Sequence, residues 1–431
     1  NRYGYDIKDF IDSIYEPGYE DIYYDYMKLV SGYVVEQFYR PFTEIAHEMG
    51  AFSRAQCGGA PADLLTEFSS VDVPATEAIL YKPNFAKIPA SAALLSSKNI
   101  VSAETFTCLY GWKGWPGPGP HQGEENIYDL KMLCDALFAN GVNQIIWHGM
   151  PFNGQGDTNM FYASVHTGPG CAFETNLPEF NEYMQKISEF MRKGRLYSDL
   201  AVYLPYEDGL MGVEYPDSLQ FPWVWGEYEL RYIRTPEELK GYAPAWINSD
   251  FLREAEIRGD KLSVGDAEFS ALYIDVDYMD ISSLRRIAEI AESGFPVCLK
   301  NIPEQPGRFK DPEFNSLIEK ITNQKNVSRD FKDVCGASPL IEGTEIPDFI
   351  CRKTDDGFYI FFSNPDSKDL KYPIEYKQSM TGKTYNYSIM LNFNGNSKSY
   401  YLDFKPHQSA LLHIDKELNI KKIDIEFAPG K

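Results

Sequence analysis

The sequence predicts a mixed α/β chain in three stretches. Parallel strands alternate with helices over residues 1–197, a small doubly wound α/β domain follows over 198–330, and a β-sandwich closes the chain over 331–431. Three observations carry this. Apolar runs that read as strands alternate with amphipathic helical patterns through the first stretch, the mark of a parallel layer structure or a barrel. The composition changes near residue 197, where "DLAVYLPY" opens a new strand. From about residue 331 the helical period stops, and short strands follow one another between Gly, Asn, Asp and Pro.

The elements follow in order. Tyr24, Met27, Val30, Val34, Phe38, Phe42 and Ile45 recur every three or four residues and predict a helix over 20–48, stopped by Gly50. "AFSRAQCGG" reads as a short strand entering a glycine-rich loop, and "TEAILY" and "NIVSAETFT" as the next two strands. "GWKGWPGPGPHQGEEN" is a loop, because its five glycines and three prolines forbid regular structure. "IYDLKMLCDALFANG" is an amphipathic helix closed by Gly141, and "VNQIIWHGM" a buried strand after it. In the second stretch "FSALYIDV", "SSLRRIAEIAES" and "FPVCLKN" make one strand–helix–strand unit, right-handed by the usual rule. It lacks G-x-G-x-x-G, so no nucleotide site is expected there. In the third, "DFICRK", "GFYIFFSN", "TYNYSIML", "KSYYLDF" and "SALLHI" are strands, and "FNGNS" is a hairpin signal.

The totals narrow the partners. With 431 residues, 43% of them hydrophobic, the chain can bury well-packed cores. A net charge of −22 argues against nucleic acid or an anionic membrane surface. No run of about twenty apolar residues is present to span a membrane. Seven cysteines without C-x-x-C spacing do not make a disulfide scaffold. The aromatic share of 15% suits stacking on sugar rings, although filling cores uses most such side chains. The opening "NRYGYDIKDF" has no Met and no targeting pattern, so residue 1 is expected to lie inside a longer gene product.

Several side chains are candidates for chemistry. Glu104 stands among small and apolar residues at the end of its predicted strand. An ionised carboxylate there is either put to use or held by backbone hydrogen bonds, and both readings stay open. In β/α barrels reactive groups collect at that rim. Trp112 and Trp115 follow directly as possible stacking walls, and His148 ends the next strand, where it either serves a sugar hydroxyl or is a satisfied core histidine. Trp147 and Gln56 join them as substrate-binding candidates. Asp72 and Glu77 lie close in "SSVDVPATEAI"; two carboxylates suit a hard cation such as calcium, and surface or cap roles compete.

At this point the residues resemble a family. "RYGYD", "DVPATE", "SAETFT", "LKMLCDALFANGVNQIIWHGMPF" and "RLYSDLAVYLPYED" stand in the order found in glycoside hydrolase family 106, the α-L-rhamnosidases, and the likeness continues through "WINSDFL", "SGFPVCL" and "PEQPG". The resemblance implies that residues 1–197 are the C-terminal half of a (β/α) TIM-type barrel. It implies an inverting glycosidase acting on plant or microbial poly- or oligosaccharide, exported to the periplasm or beyond. Two carboxylates would stand roughly 6.5–9.5 Å apart, one protonating the leaving oxygen and one activating water. Glu104 matches the general base, and Glu77 is the candidate to hold a calcium ion near the sugar. The general acid is expected before residue 1. A barrel cannot close on half its strands, so the missing N-terminal part of the same protein is the expected partner. A β-galactosidase-like glycosidase, whose retaining chemistry sets the carboxylates about 5–5.5 Å apart, and a non-catalytic carbohydrate-binding protein are the alternatives.

Overall fold

The computed structural model of the protein describes residues 4–78, 82–107, 109–111, 121, 123–149, 167–211, 235–371, 374–393 and 395–427. Contacts gather the chain into two units, each made of separated segments. One holds residues 1–74, 91–98 and 198–339; the other holds 75–90, 99–197 and 340–431. The sequence reading also divides the chain at 197, but each unit draws segments from both sides of that point.

Three parallel strands, Val73–Glu77, Ser102–Thr105 and Gln144–Trp147, lie side by side in that order, and the second unit holds them from Ala75 on. Their register sets Glu77 against Glu104 and Glu104 against Ile146. Between the last two strands runs helix Ile127–Ala139. Asn126 starts it by accepting the Tyr128 N–H at 2.9 Å. Gly141 follows its C-cap at φ 111°, where an added Cβ would stand 2.4 Å from Ala90 Cβ, so only glycine fits. The helix buries Leu130, Leu133, Leu137 and Phe138. Helix Leu177–Met191 buries Phe180, Tyr183, Met184, Ile187 and Met191, the spacing of a single apolar face. These side chains share one core with Ala103, Phe106, Phe361, Leu411 and Phe427.

Helix Ile127–Ala139 also buries a charged pair. Lys131 Nζ lies 2.6 Å from Asp135 Oδ2, both side chains being 1% exposed. The Tyr183 hydroxyl donates to Asp135 at 2.5 Å and stands 2.7 Å from Ser409 Oγ. Such a pair is tolerated in the interior only when its remaining polar atoms are hydrogen-bonded.

The end of the chain forms two antiparallel sheets in the same unit. One has the order Ile420–Ile423, Ala410–Asp415, Gly357–Phe362, Phe349–Thr354, Arg195–Leu196. The other has the order Ile341–Glu342, Tyr385–Phe393, Asn396–Phe404. Phe358 of the first meets Phe393 of the second with ring centroids 4.3 Å apart. Gly395, at φ 76°, turns the hairpin that "FNGNS" predicts.

The first unit carries a five-stranded parallel sheet in the order Val327–Ser328, Val297–Leu299, Ala271–Ile274, Leu200–Tyr203, Pro244–Ile247. Its central strands are buried throughout, as a parallel sheet covered on both faces requires. Helix Ile281–Glu292 opens at Asp280, whose carboxylate accepts the Ser283 N–H at 2.9 Å. The helix predicted over 20–48 is present as Glu20–Val34, a π turn at Val35–Tyr39 and Arg40–Glu48. Among the described residues no helix is long and apolar enough to cross a membrane.

Candidate active site

Side chains alternate across a strand, and residues paired in register between parallel strands share a face. Glu77, Glu104 and Ile146 therefore stand on one face of their sheet, whose fourth strand is Arg54–Gln56. Ala103, Ile145 and Trp147 stand on the other, which packs into the helical core. Glu77 is the last residue of its strand and Glu104 the last but one, so both carboxylates sit at the carboxyl ends. The main chain fixes this edge. Ala78 N–H donates to the Glu104 carbonyl at 3.0 Å, and His148 N–H to the Thr105 carbonyl at 3.1 Å.

Directly after the Glu104 strand the backbone turns sharply. Phe106 has φ 77°, a left-handed conformation that is strained for a bulky residue. Its buried ring is held against Trp147 at 4.6 Å and Phe180 at 6.1 Å. The turn brings Thr107 Oγ1 to 2.6 Å from His148 Nδ1. The same nitrogen lies 3.6 Å from Glu104 Oε1. The Glu104 and His148 side chains are 33% and 32% exposed, so the carboxylate is not sealed in a packed layer.

Glu77 has a different environment, being 8% exposed. Burial, and secondarily the charge of Glu104, pushes its carboxyl up to about 7. A buried carboxyl with a raised proton affinity thus stands beside a carboxylate that reaches solvent. Two adjoining carboxylates are also donors for a hard cation. Among the described residues, however, no group of three or more His, Cys, Asp or Glu is placed to hold a metal ion, so these residues alone do not complete a calcium site.

Of the residues singled out by sequence, Glu77, Glu104 and His148 come together at one edge. Trp147 stands on the opposite face of the sheet from them. Strand alternation sets its half-buried ring against the core, stacked on Phe173 at 6.0 Å, with Nε1 donating to Asn181 at 3.0 Å. Gln56 is exposed on the short strand Arg54–Gln56, in the other unit. Trp112 and Trp115 lie outside the described residues. Asp72 is structural: it accepts from Ser53 N–H at 2.8 Å and stands 2.9 Å from His47 Nε2. Burial raises its carboxyl, and these hydrogen bonds outweigh burial and hold it below the usual range. Thr107 was not singled out. Its hydroxyl three positions after Glu104 was legible, but the turn at Phe106 that aims it was not.

With this geometry in hand, three similarities bear on identity. A protein of Formosa agariphila named "Putative beta-glucuronidase" is 22% identical over 396 residues, covering 84% of this chain and 30% of that protein. A rhamnosidase from Novosphingobium sp. PP1Y superposes with a TM-score of 0.64 at 17% identity, over 91% of this chain and 40% of that one. A β-galactosidase from Bacillus circulans sp. alkalophilus gives 0.54 at 10% identity, over 91% and 68%. The two structural likenesses establish the fold, and this chain spans well under half the length of the first two proteins. The family described as alpha-L-rhamnosidase matches residues 1–346. The chain belongs to glycoside hydrolase family 106.

Proposed function

We propose that this chain is part of a longer inverting α-L-rhamnosidase and supplies its general base, Glu104. The observation that carries the proposal is the setting of Glu104. It is a part-exposed carboxylate at the carboxyl end of a parallel strand, with a buried carboxyl on one flank and a histidine positioned by Thr107 on the other. In the reaction Glu104 accepts a proton from a water molecule as its oxygen attacks the anomeric carbon, and the bond to the leaving oxygen breaks on the opposite face. The group that protonates the leaving oxygen comes from chain beyond these residues. His148, 3.6 Å from Glu104 Oε1, orients that carboxylate or a sugar hydroxyl.

The three parallel strands belong, on this reading, to a β/α barrel completed by the rest of the protein. The chain's 30% and 40% shares of the Formosa and Novosphingobium proteins support that. Calcium would be held by Glu77 with donors from outside the described residues, and no step above passes through it. Export from the cytoplasm belongs to the same proposal. The test is proton NMR of the first product released by the full-length protein from an aryl α-L-rhamnoside. Rhamnose appearing first as the β anomer supports the reading. The α anomer first, or turnover only of a β-galactoside or β-glucuronide, overturns it.

A further inference from the structure

Beyond the turn at Phe106 the chain is tied to a segment far along the sequence, residues 374–379, which precede the strand Tyr385–Phe393. The Leu109 carbonyl accepts the Ile374 N–H at 3.1 Å. Tyr110 is buried, and its hydroxyl donates to Asp129 at 2.8 Å and accepts the Asn126 N–H at 2.9 Å. Asp129 is fully buried on helix Ile127–Ala139. Its carboxylate also accepts the N–H groups of Lys377 and Ser379, at 2.8 and 2.9 Å, and the Ser379 hydroxyl. Lys377 has φ 59°, a left-handed turn that aims its own and a following amide at one carboxylate. Tyr376 stands among these anchors. Its ring meets Tyr110 edge-on at 5.3 Å and stacks flat on His121 at 3.8 Å, the two planes 7° apart.

These ties bear on the carboxylate edge through the chain between them. Thr107 lies two residues before Leu109 and three before Tyr110, and its hydroxyl is 2.6 Å from His148 Nδ1. A bulky residue keeps a left-handed conformation only where its surroundings over-determine it. At Phe106 one fixed point is its ring, packed on Trp147 and Phe180. The other is Leu109–Tyr110, which the C-terminal segment holds by a main-chain hydrogen bond, a shared carboxylate and a ring contact. Loosening the second point frees the turn that aims Thr107.

We propose that Tyr110 and Tyr376 are positioning residues for the reaction: Tyr376 holds Tyr110, and Tyr110 holds the turn through which Thr107 orients His148 beside Glu104. The inference rests on the reading of Glu104 as the general base. The test compares Tyr376→Ala and Tyr376→Phe in the full-length protein, by rhamnoside kinetics across pH and by hydrogen exchange at two amides. One is His148 N–H, bonded to the Thr105 carbonyl, and the other Asn126 N–H, bonded to the Tyr110 hydroxyl. Phenylalanine keeps both ring contacts and alanine removes them, a loss that changes an equilibrium several-fold per ring pair. In Tyr376→Ala both amides should exchange about tenfold faster. Its kcat should fall about tenfold with KM within about twofold, and the pH profile of kcat should move. Tyr376→Phe should match wild type throughout. Unchanged exchange at His148 in Tyr376→Ala overturns the proposal, as does a lower kcat with an unmoved pH profile, the result of a smaller folded fraction alone. A Tyr376→Phe protein that behaves like Tyr376→Ala overturns it too. The two claims separate on the same samples. Faster exchange at His148 in a protein whose wild type hydrolyses no rhamnoside removes the activity and leaves the hold on the turn, and rhamnoside turnover with unchanged exchange does the reverse.

Discussion

Replacing Glu77 with Gln tests the electrostatics of the candidate site without touching Glu104. A free glutamate titrates near 4.5; burial and the nearby Glu104 charge raise Glu77 to about 7. At about 1.4 kcal/mol per tenfold change in proton affinity, that rise is worth roughly 3 kcal/mol. The sign follows from which state holds the proton. Between pH 4.5 and 7 the unfolded chain has released it and the folded chain still binds it, so stability falls as pH rises through this window and levels off above it. Glu77→Gln keeps the shape of the protonated side chain and cannot ionise. Denaturant melts in chelator-treated buffer, run from pH 4.5 to 8, should therefore show wild-type protein losing roughly 3 kcal/mol relative to the variant. A difference that stays level across the range, or grows in the opposite sense, refutes the burial argument. If Glu77 holds calcium, adding the ion reverses the loss in wild type and does nothing in the variant.

Three further outcomes are expected. Thr107→Val removes the partner 2.6 Å from His148 Nδ1, so turnover of the full-length protein should fall about tenfold with an altered pH profile and an unchanged melting temperature; an unchanged profile removes Thr107 from the site. Gly141→Ala forces a Cβ to 2.4 Å from Ala90 Cβ at φ 111° and should cost roughly 2–4 kcal/mol in a denaturant melt. Lys131→Met strands Asp135 in the core and should cost roughly 3–5 kcal/mol, while the double variant with Asp135→Leu recovers most of it; equal loss in both would mean that the charge is not what matters.

Much of the fold was legible because its signals are local. Gly50 and Gly141 end helices where the periodicity stops, and "FNGNS" turns where a hairpin is expected. The carboxylate at the end of "SAET" was legible for the same reason. Long-range contributions were not. Arg195–Leu196 joins the edge of a sheet whose other strands begin at Phe349, a pairing no local pattern announces. Trp147 was named as a substrate-binding candidate beside His148. The strand's two-residue alternation, taken with the register against Thr105, sets it on the face that packs against the core, opposite Glu104. Glu77 was marked for its charge, whereas its buried setting depends on the neighbouring strand. The turn that aims Thr107 depends on Phe106 accepting a strained conformation that its packing against Trp147 and Phe180 sustains.

The most direct measurement is the turnover of an α-L-rhamnoside by the full-length protein carrying Glu104→Gln. With the general base removed, kcat should drop by roughly 100- to 10,000-fold, while the melting temperature stays within a degree or so of wild type, because the side chain is a third exposed and does not support the core. A variant that keeps wild-type kcat contradicts the account, as does one whose lost activity only follows lost folding.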